Sequence, residues 1–386
     1  MIINSLLDTD LYKLTMLMFV YHQFPGIEVE YKFKCRNKKI PEKYLDRIAD
    51  EINHLCTLKF TDDELNYLST LPFFKDDFID FLRLFQFNIN HIEPYFDHKK
   101  EELCITIKGP WLLTILFEVP VLAIVNEVYF EDKCKVGFES NERLAAKIEK
   151  IINGADYDFR FVDFGTRRRF NKSWHSTVIQ ELKTHLPDNF VGTSNVMFAK
   201  MYNIKPIGTI SHELLQAGQA VGPRLIDSQK YILQKWVDEY RGDLGIALTD
   251  VIGIDAFLKD FDIYFAKLYD GLRHDSGDPY KWGDKVINHY DDLGIESITK
   301  TAVFSDGLTI DSAINLYNYF KNRIGVSFGI GTHLTNDVGI KPVQIVIKMT
   351  TCNGQPVAKI SDSPGKTMCE DEDYVKYLKQ VFGLKE

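Results

Sequence analysis

Positive charge is what this chain is short of: 46 Lys and Arg stand against 55 Asp and Glu among 386 residues, a formal charge of −9 with histidine neutral. General affinity for nucleic acid is not expected of such a surface, although an average leaves room for a few concentrated sites for small anions. Cysteine is sparse as well. The six, at 35, 56, 104, 134, 352 and 369, are spread too widely for a CxxC metal pair. A chain this long needs no disulfide framework, so a reducing, cytoplasmic setting is expected. No basic leader precedes the first apolar run, 14–21, where Asp8 and Asp10 stand instead, so no secretory signal is read there. An uninterrupted membrane-length apolar stretch is also missing. Residues 111–130 come nearest, but Glu118, Pro120, Asn126 and Glu127 interrupt them. Each acid costs about 2.5 kcal/mol or more at a bilayer centre, so the stretch reads as buried core and no membrane association is expected. A Walker A loop is absent too: GKT occurs at 365–367, but Ile360 holds the place of the first glycine.

What is present is a large apolar fraction, 45%, enough to fill a sizeable core and to argue against disorder. Residues 1–130 mix short helical patterns such as 62–71 with strand-like runs at 28–33 and 103–107. Ser140 or Asn141 can cap a helix whose Leu144, Ala145, Ile148, Ile151 and Ile152 share one face and which Gly154 can end. After it, apolar runs recur at 159–164, 190–191, 207–208, 246–248, 267–272, 301–304 and 326–328, each followed by a polar or glycine-rich turn and a helical pattern. About seven βα units in series suggest parallel strands in a closed or nearly closed barrel, with the turns after the strands gathered at one end. Beyond Asp337, the alternation over 343–349, the Asn353-Gly354 dipeptide and the run 356–360 read as a hairpin.

The turns carry the chemistry: GTRRR (165–169), GTSN (192–195), GTISHE (208–213), LRHDSGDP (272–279), SDGLT (305–309) and GIGTHLTND (329–337). Gly-Thr pairs between a strand and a helix offer backbone N–H groups, a hydroxyl and a positive dipole end, which is what a phosphate monoester needs. A single such loop could be a plain βα turn; four in one series favour phosphate. Arg167, Arg168 and Arg169 follow one strand and Arg273 another, and guanidinium forks suit carboxylate or phosphate. Asp275 and Asp278 flank Gly277; either could hold sugar hydroxyls or a Mg²⁺ shared with pyrophosphate, although Asp278 before Pro279 also suits a helix cap. Among ten histidines, His212 directly follows a Gly-Thr loop, where an imidazole can act as base or phosphoryl acceptor.

DFGTRRR (163–169), GTSN, GTISHE, GLRHDSGDP, FSDGLT, FGIGTHLTND and VAKISDSPGK (357–366), with TDLYKLTM (9–16), closely resemble the nicotinate phosphoribosyltransferase family, in order along nearly the whole chain. The resemblance implies an irregular, incomplete α/β barrel of the type II phosphoribosyltransferase kind over 140–339, and an N-terminal α/β sandwich-like domain over 1–139 that 340–386 rejoins. It implies transfer of a phosphoribosyl group from phosphoribosyl pyrophosphate to nicotinate, giving nicotinate mononucleotide and pyrophosphate. ATP would be a co-substrate and Mg²⁺ a cofactor, at the entry from nicotinate to NAD. Carried over by motif, His212 is the transiently phosphorylated residue and stands with Arg273 and Asp275 as catalytic. Phe164 and Tyr12 stack on the pyridine ring, Tyr12 coming from a neighbouring subunit in related enzymes, which would require a homodimer. Arg273, Arg167 and Thr209 contact the nicotinate carboxylate or the phosphates. Asp275 faces the ribose and metal, and Ser305, Asp306, Gly307, Gly331 and Thr332 face the 5′-phosphate. Related nicotinamide-using enzymes carry an aspartate at the place of Ser194, and an acceptor-only carboxylate there would repel an acid, so Ser194 favours nicotinate. A quinolinate-type or nicotinamide phosphoribosyltransferase, and a phosphosugar-binding protein on the same barrel, remain as alternatives.

Overall fold

The computed structural model describes residues 1–133, 135–363, 367 and 369–384. Cys134, the Gly365 and Lys366 of the GKT triplet, and Pro364 of the tail motif lie outside them. The chain divides into two compact units, Met1–Gly208 with Ile330–Lys348, and Thr209–Gly329 with Met349–Glu386. The architecture is mixed α/β: parallel strands alternate with helices, and a separate sheet is antiparallel.

In the first unit, Glu28–Cys35 buries Val29, Tyr31 and Phe33, the period-two pattern of a sheet with one covered face. It pairs antiparallel with Glu102–Pro110, which pairs in turn with Ile92–Asp97. Trp111–Phe130 is long and apolar enough to cross a membrane, yet it is nearly wholly buried inside the fold. Its acids are paired: Glu118 lies 2.7 Å from Lys13 and Glu127 lies 2.7 Å from Arg169. The next helix, Phe138–Gly154, begins earlier than expected. Gly137, rather than Ser140 or Asn141, caps it, because the Gly137 carbonyl accepts both the backbone and the side-chain N–H of Asn141, at 3.2 and 3.0 Å, and so draws Asn141 into the first turn. Three parallel strands follow, Phe161–Asp163, Phe190–Thr193 and Lys205–Pro206. The third lies just before the expected 207–208. It ends there because a Cβ at Gly208 would fall 2.8 Å from the Tyr12 nitrogen, where the chain turns against the helix Leu11–Gln23.

The second unit carries four parallel strands in spatial order: Ile246–Leu248, Gly271–His274, Thr301–Phe304 and Gly325–Ile330, the last residue of which belongs to the first unit. Ile246–Leu248 and Thr301–Phe304, mostly buried, read in sequence as short apolar runs. The expected strand 267–272 is divided: Asp262 accepts from the Tyr264 and Phe265 amides and caps a helix, Ile263–Leu268, so the strand starts only at Gly271. The hairpin is present, with Asn353 and Gly354 at φ of +50° and +75°, the left-handed pair of a type I′ turn. Its return strand is only Gln355–Pro356, because the Ile360 amide leaves to donate to the Val251 carbonyl at 2.7 Å. The core of this unit centres on Phe304, whose ring lies 5.4 Å from those of Phe320 and Trp282 and 5.9 Å from that of Phe328. Phe304→Ala is expected to cost about 3–5 kcal/mol in denaturant unfolding, the usual range for a buried aromatic; a loss under about 1 kcal/mol would show that this cluster is not the centre of the packing.

Candidate active site

Two clusters of functional side chains form, one in each unit. In the second unit, His212 is the first residue of the helix His212–Val221 and is buried. Its Nε2 lies 2.8 Å from Asp250 Oδ1 and 3.3 Å from Asp275 Oδ2. Carboxylates only accept, so the nitrogen facing them carries the hydrogen and Nδ1 keeps the lone pair. Asp250 follows the strand Ile246–Leu248, and its other oxygen, Oδ2, accepts from Ser276 Oγ at 2.6 Å and from Lys359 Nζ at 2.7 Å. Asp275 Oδ1 accepts from Ser305 Oγ at 2.9 Å, and Arg273 Nη1 donates to Thr209 Oγ1. Thr209, His212, Arg273, Asp275 and Ser305 are thus brought together in one unit. Asp306 and Gly307 continue the loop after Thr301–Phe304; Gly307 is exposed at φ +60° with open space around it. Asp250, Ser276 and Lys359 were missed. The signal for Asp250 was an acid two residues past a recognised strand, and Lys359 stood inside the VAKISDSPGK motif with no role assigned.

The electrostatics of this cluster follow from burial. Desolvation, reinforced by the Lys359 ammonium, pushes His212 down to about 4 against the pull of Asp250 and Asp275. Burial pushes Asp250 up, but His212 and Lys359 outweigh it and hold its carboxyl well below the ordinary range. At neutral pH the site therefore contains a neutral imidazole between two carboxylates. His212, Asp250 and Asp275 present ligand atoms within 4.8 Å of one another. Mg²⁺ is a hard ion that usually takes one or two carboxylates plus phosphate oxygens and water. Asp275 fits that role, whereas Asp250 already answers to Lys359.

In the first unit, the turn after Phe161–Asp163 is set by Asp163, which is fully buried and accepts from the Gly165 amide at 2.9 Å, His175 Nε2 at 2.7 Å and Thr193 Oγ1 at 2.6 Å. A Cβ on Gly165 would lie 2.2 Å from Thr335, and one on Gly331 would lie 2.8 Å from the Phe164 carbonyl, so both glycines allow contacts that any side chain would prevent. Phe164, Tyr12 and Thr332 are half-buried. The three arginines part company. Arg169 is wholly buried, bidentate on Asp8 at 2.6 and 3.0 Å and 2.7 Å from Glu127, a structural ion cluster out of reach of any ligand. Arg168 Nε donates to the Ile345 carbonyl at 2.9 Å. Arg167 stays partly exposed, 3.4 Å from Glu118. Ser194 is buried with its hydroxyl donating to Asp10 Oδ1 at 2.7 Å. Burial raises the Asp10 carboxyl above its ordinary value against the pull of Arg167 and Ser194.

Residues 159–386 match the nicotinate phosphoribosyltransferase (NAPRTase) family and residues 7–126 match its N-terminal domain. The chain belongs to the nicotinate phosphoribosyltransferase family. It is 54% identical over 395 residues to the nicotinate phosphoribosyltransferase of Acidovorax sp. (strain JS42), covering 100% of this chain and 99% of that one. It is 54% identical over 389 residues to that of Burkholderia mallei (strain ATCC 23344), covering 100% and 98%. Among solved structures it is similar to the nicotinate phosphoribosyltransferase of Vibrio cholerae, with a TM-score of 0.96 at 41% identity over 100% of this chain and 95% of that one. For that of Porphyromonas gingivalis the TM-score is 0.94 at 32% identity over 99% and 100%. The fold class expected from the sequence is the one shared with this family: mixed α/β, with a curled half-barrel of parallel strands and an antiparallel sheet.

The depressed His212 pKa carries a sign. Unfolded, the imidazole protonates near 6.5; folded, only near 4. As pH falls through that window the unfolded chain takes up a proton that the folded one refuses, so stability is lost, by about 3 kcal/mol once pH 4 is reached. Unfolding measured at pH 7 and pH 4.5 should show this loss, and His212→Gln should make the dependence shallower; an unchanged slope would contradict a neutral, buried His212.

Proposed function

We propose that the chain transfers the phosphoribosyl group of phosphoribosyl pyrophosphate to nicotinate, giving nicotinate mononucleotide and pyrophosphate, with ATP hydrolysis coupled through a phosphohistidine at His212. The observation that carries this reading is the tautomer imposed on His212: Nε2–H is held by Asp250 and Asp275, which leaves Nδ1 as the nucleophile. In the phosphoryl step, Nδ1 forms a bond to the γ-phosphorus of ATP as the bond to the β,γ-bridging oxygen breaks, releasing ADP. Positive charge develops on the ring, and the two carboxylates stabilise it without the proton needing to leave. Water later takes the phosphoryl group from Nδ1, releasing phosphate and returning the neutral imidazole. Between these events a dianionic group stands beside Asp275 and Arg273, changing the charge that substrates and products meet there, which is how ATP consumption can shift their affinities.

In the transfer itself, Tyr12 and Phe164 are assigned to the pyridine ring, and Arg273, Arg167 and Thr209 to its carboxylate or the phosphates. The Ser305, Asp306, Gly307 loop and the Gly331, Thr332 turn are assigned to the 5′-phosphate. The ring nitrogen attacks C1 of the ribose as pyrophosphate departs; positioning supplies much of the rate. Mg²⁺, held by Asp275 and phosphate oxygens, would offset charge on the leaving pyrophosphate. Ser194 enters through Asp10: its hydroxyl occupies that carboxyl, so an aspartate at 194 would set a second acid beside the first and repel nicotinate. In this reading the chain acts at the entry from nicotinate to NAD, as part of a homodimer.

Incubation with ATP labelled in the γ-phosphate should leave acid-labile, base-stable phosphate on the protein, and His212→Asn should abolish it together with ATP stimulation. Unchanged ATP stimulation in that variant would sink the phosphohistidine. Ser194→Asp should raise the KM for nicotinate by about tenfold or more; equal turnover of nicotinate and nicotinamide by the unaltered enzyme would refute the assigned substrate choice.

A further inference from the structure

Lys13 is wholly buried and Glu118 is 7% exposed, on the helices Leu11–Gln23 and Glu118–Phe130, whose other buried residues are mostly apolar. As a stabilising device such a pair is poor, because well-packed apolar residues of similar volume do as well or better. Its geometry suggests another use. Glu118 Oε2 lies 2.7 Å from Lys13 Nζ, and Oε1 lies 3.4 Å from Arg167 Nη1. One oxygen is occupied by a buried ammonium while the other holds a guanidinium whose side chain remains 38% exposed. Arg167 sits three residues after Phe164, and Tyr12 precedes Lys13 directly. Burial pushes the Glu118 carboxyl up, but Lys13, Arg167 and Lys348 outweigh it and hold it at about 2, so it is ionised. Tyr12 feels the same group: burial and then Glu118 raise its phenol, while Arg167 and Lys13 oppose them.

We propose that Glu118 is a positioning residue for recognition of the carboxylate on the substrate ring: it fixes the Arg167 guanidinium, and Lys13 supplies the counter-charge that keeps the trio cationic. Glu118 alone would cancel the charge of Arg167; with Lys13 included, Lys13, Glu118 and Arg167 together carry one net positive charge. A guanidinium already held at one nitrogen loses less freedom when its other nitrogens take a ligand. The inference rests on the proposed function and takes, of the two contacts given there for Arg167, the nicotinate carboxylate rather than the phosphates.

The test is steady-state kinetics on Glu118→Gln, Arg167→Met and the double variant. Glu118→Gln should raise the KM for nicotinate about tenfold, equivalent to about 1.4 kcal/mol, with kcat within about twofold and the KM for phosphoribosyl pyrophosphate unchanged. In the Arg167→Met background the same change should add nothing, because the residue acts through Arg167. If Glu118→Gln alone does not fold, Lys13→Met with Glu118→Gln removes both buried charges and should show the same KM effect. A normal nicotinate KM in Glu118→Gln, an equal rise in the Arg167→Met background, or a rise confined to phosphoribosyl pyrophosphate overturns the proposal while leaving the role of Arg167 standing. A normal nicotinate KM in Arg167→Met overturns that role, and this inference with it.

Discussion

The carboxylate of Asp250 is the constraint on which the second unit's chemistry depends. It accepts at once from His212, Ser276 and Lys359, three groups from separate segments: the start of a helix, the loop after Gly271–His274 and the segment after the C-terminal hairpin. Asp362 extends the chain of contacts, its amide donating to Ser276 Oγ at 3.0 Å. A buried carboxylate must have such partners or lose its charge. Because burial disfavours the charged ring and Lys359 shares the charge of Asp250, His212 gains an acceptor for its Nε2–H without being driven to the imidazolium form. A charged imidazole would have no lone pair with which to accept a phosphoryl group.

Charge is treated differently in the first unit. Asp8, Arg169 and Glu127 form a sealed cluster; burial pushes the Asp8 carboxyl up, yet Arg169 and Lys172 hold it at about 2. Removing one member would leave an uncompensated buried charge, the costly way to break such a set. The cluster fixes the end of the turn in which Phe164 and Arg167 stand. Arg169 is thus inaccessible and Arg167 partly exposed, although both belong to one run of three arginines.

That run shows where sequence reasoning stops. Nothing in GTRRR separates a sealed arginine from an accessible one; burial does. Strands Ile246–Leu248 and Thr301–Phe304 were legible because a strand covered on both faces leaves a short apolar run, and Asn353-Gly354 was legible because left-handed φ at two successive residues favours that dipeptide. The His212 loop announced itself by Gly-Thr before a helix start. The partners of His212 did not: Asp250 and Lys359 are distant in sequence from it and from each other, and only the packing of strand ends brings them together. The cap of Phe138–Gly154 was misplaced because a glycine can cap without a side chain, so the more obvious Ser140 and Asn141 drew the boundary inward.

The central claim is that His212 is neutral at pH 7 with its hydrogen on Nε2 and its lone pair on Nδ1. Nitrogen-15 NMR of the histidine-labelled protein reads this directly, since protonated and bare ring nitrogens resonate far apart. The account predicts a single neutral Nε2–H ring for His212 at pH 7, assigned by its loss in His212→Asn. An imidazolium, or a neutral ring with its hydrogen on Nδ1, would contradict it.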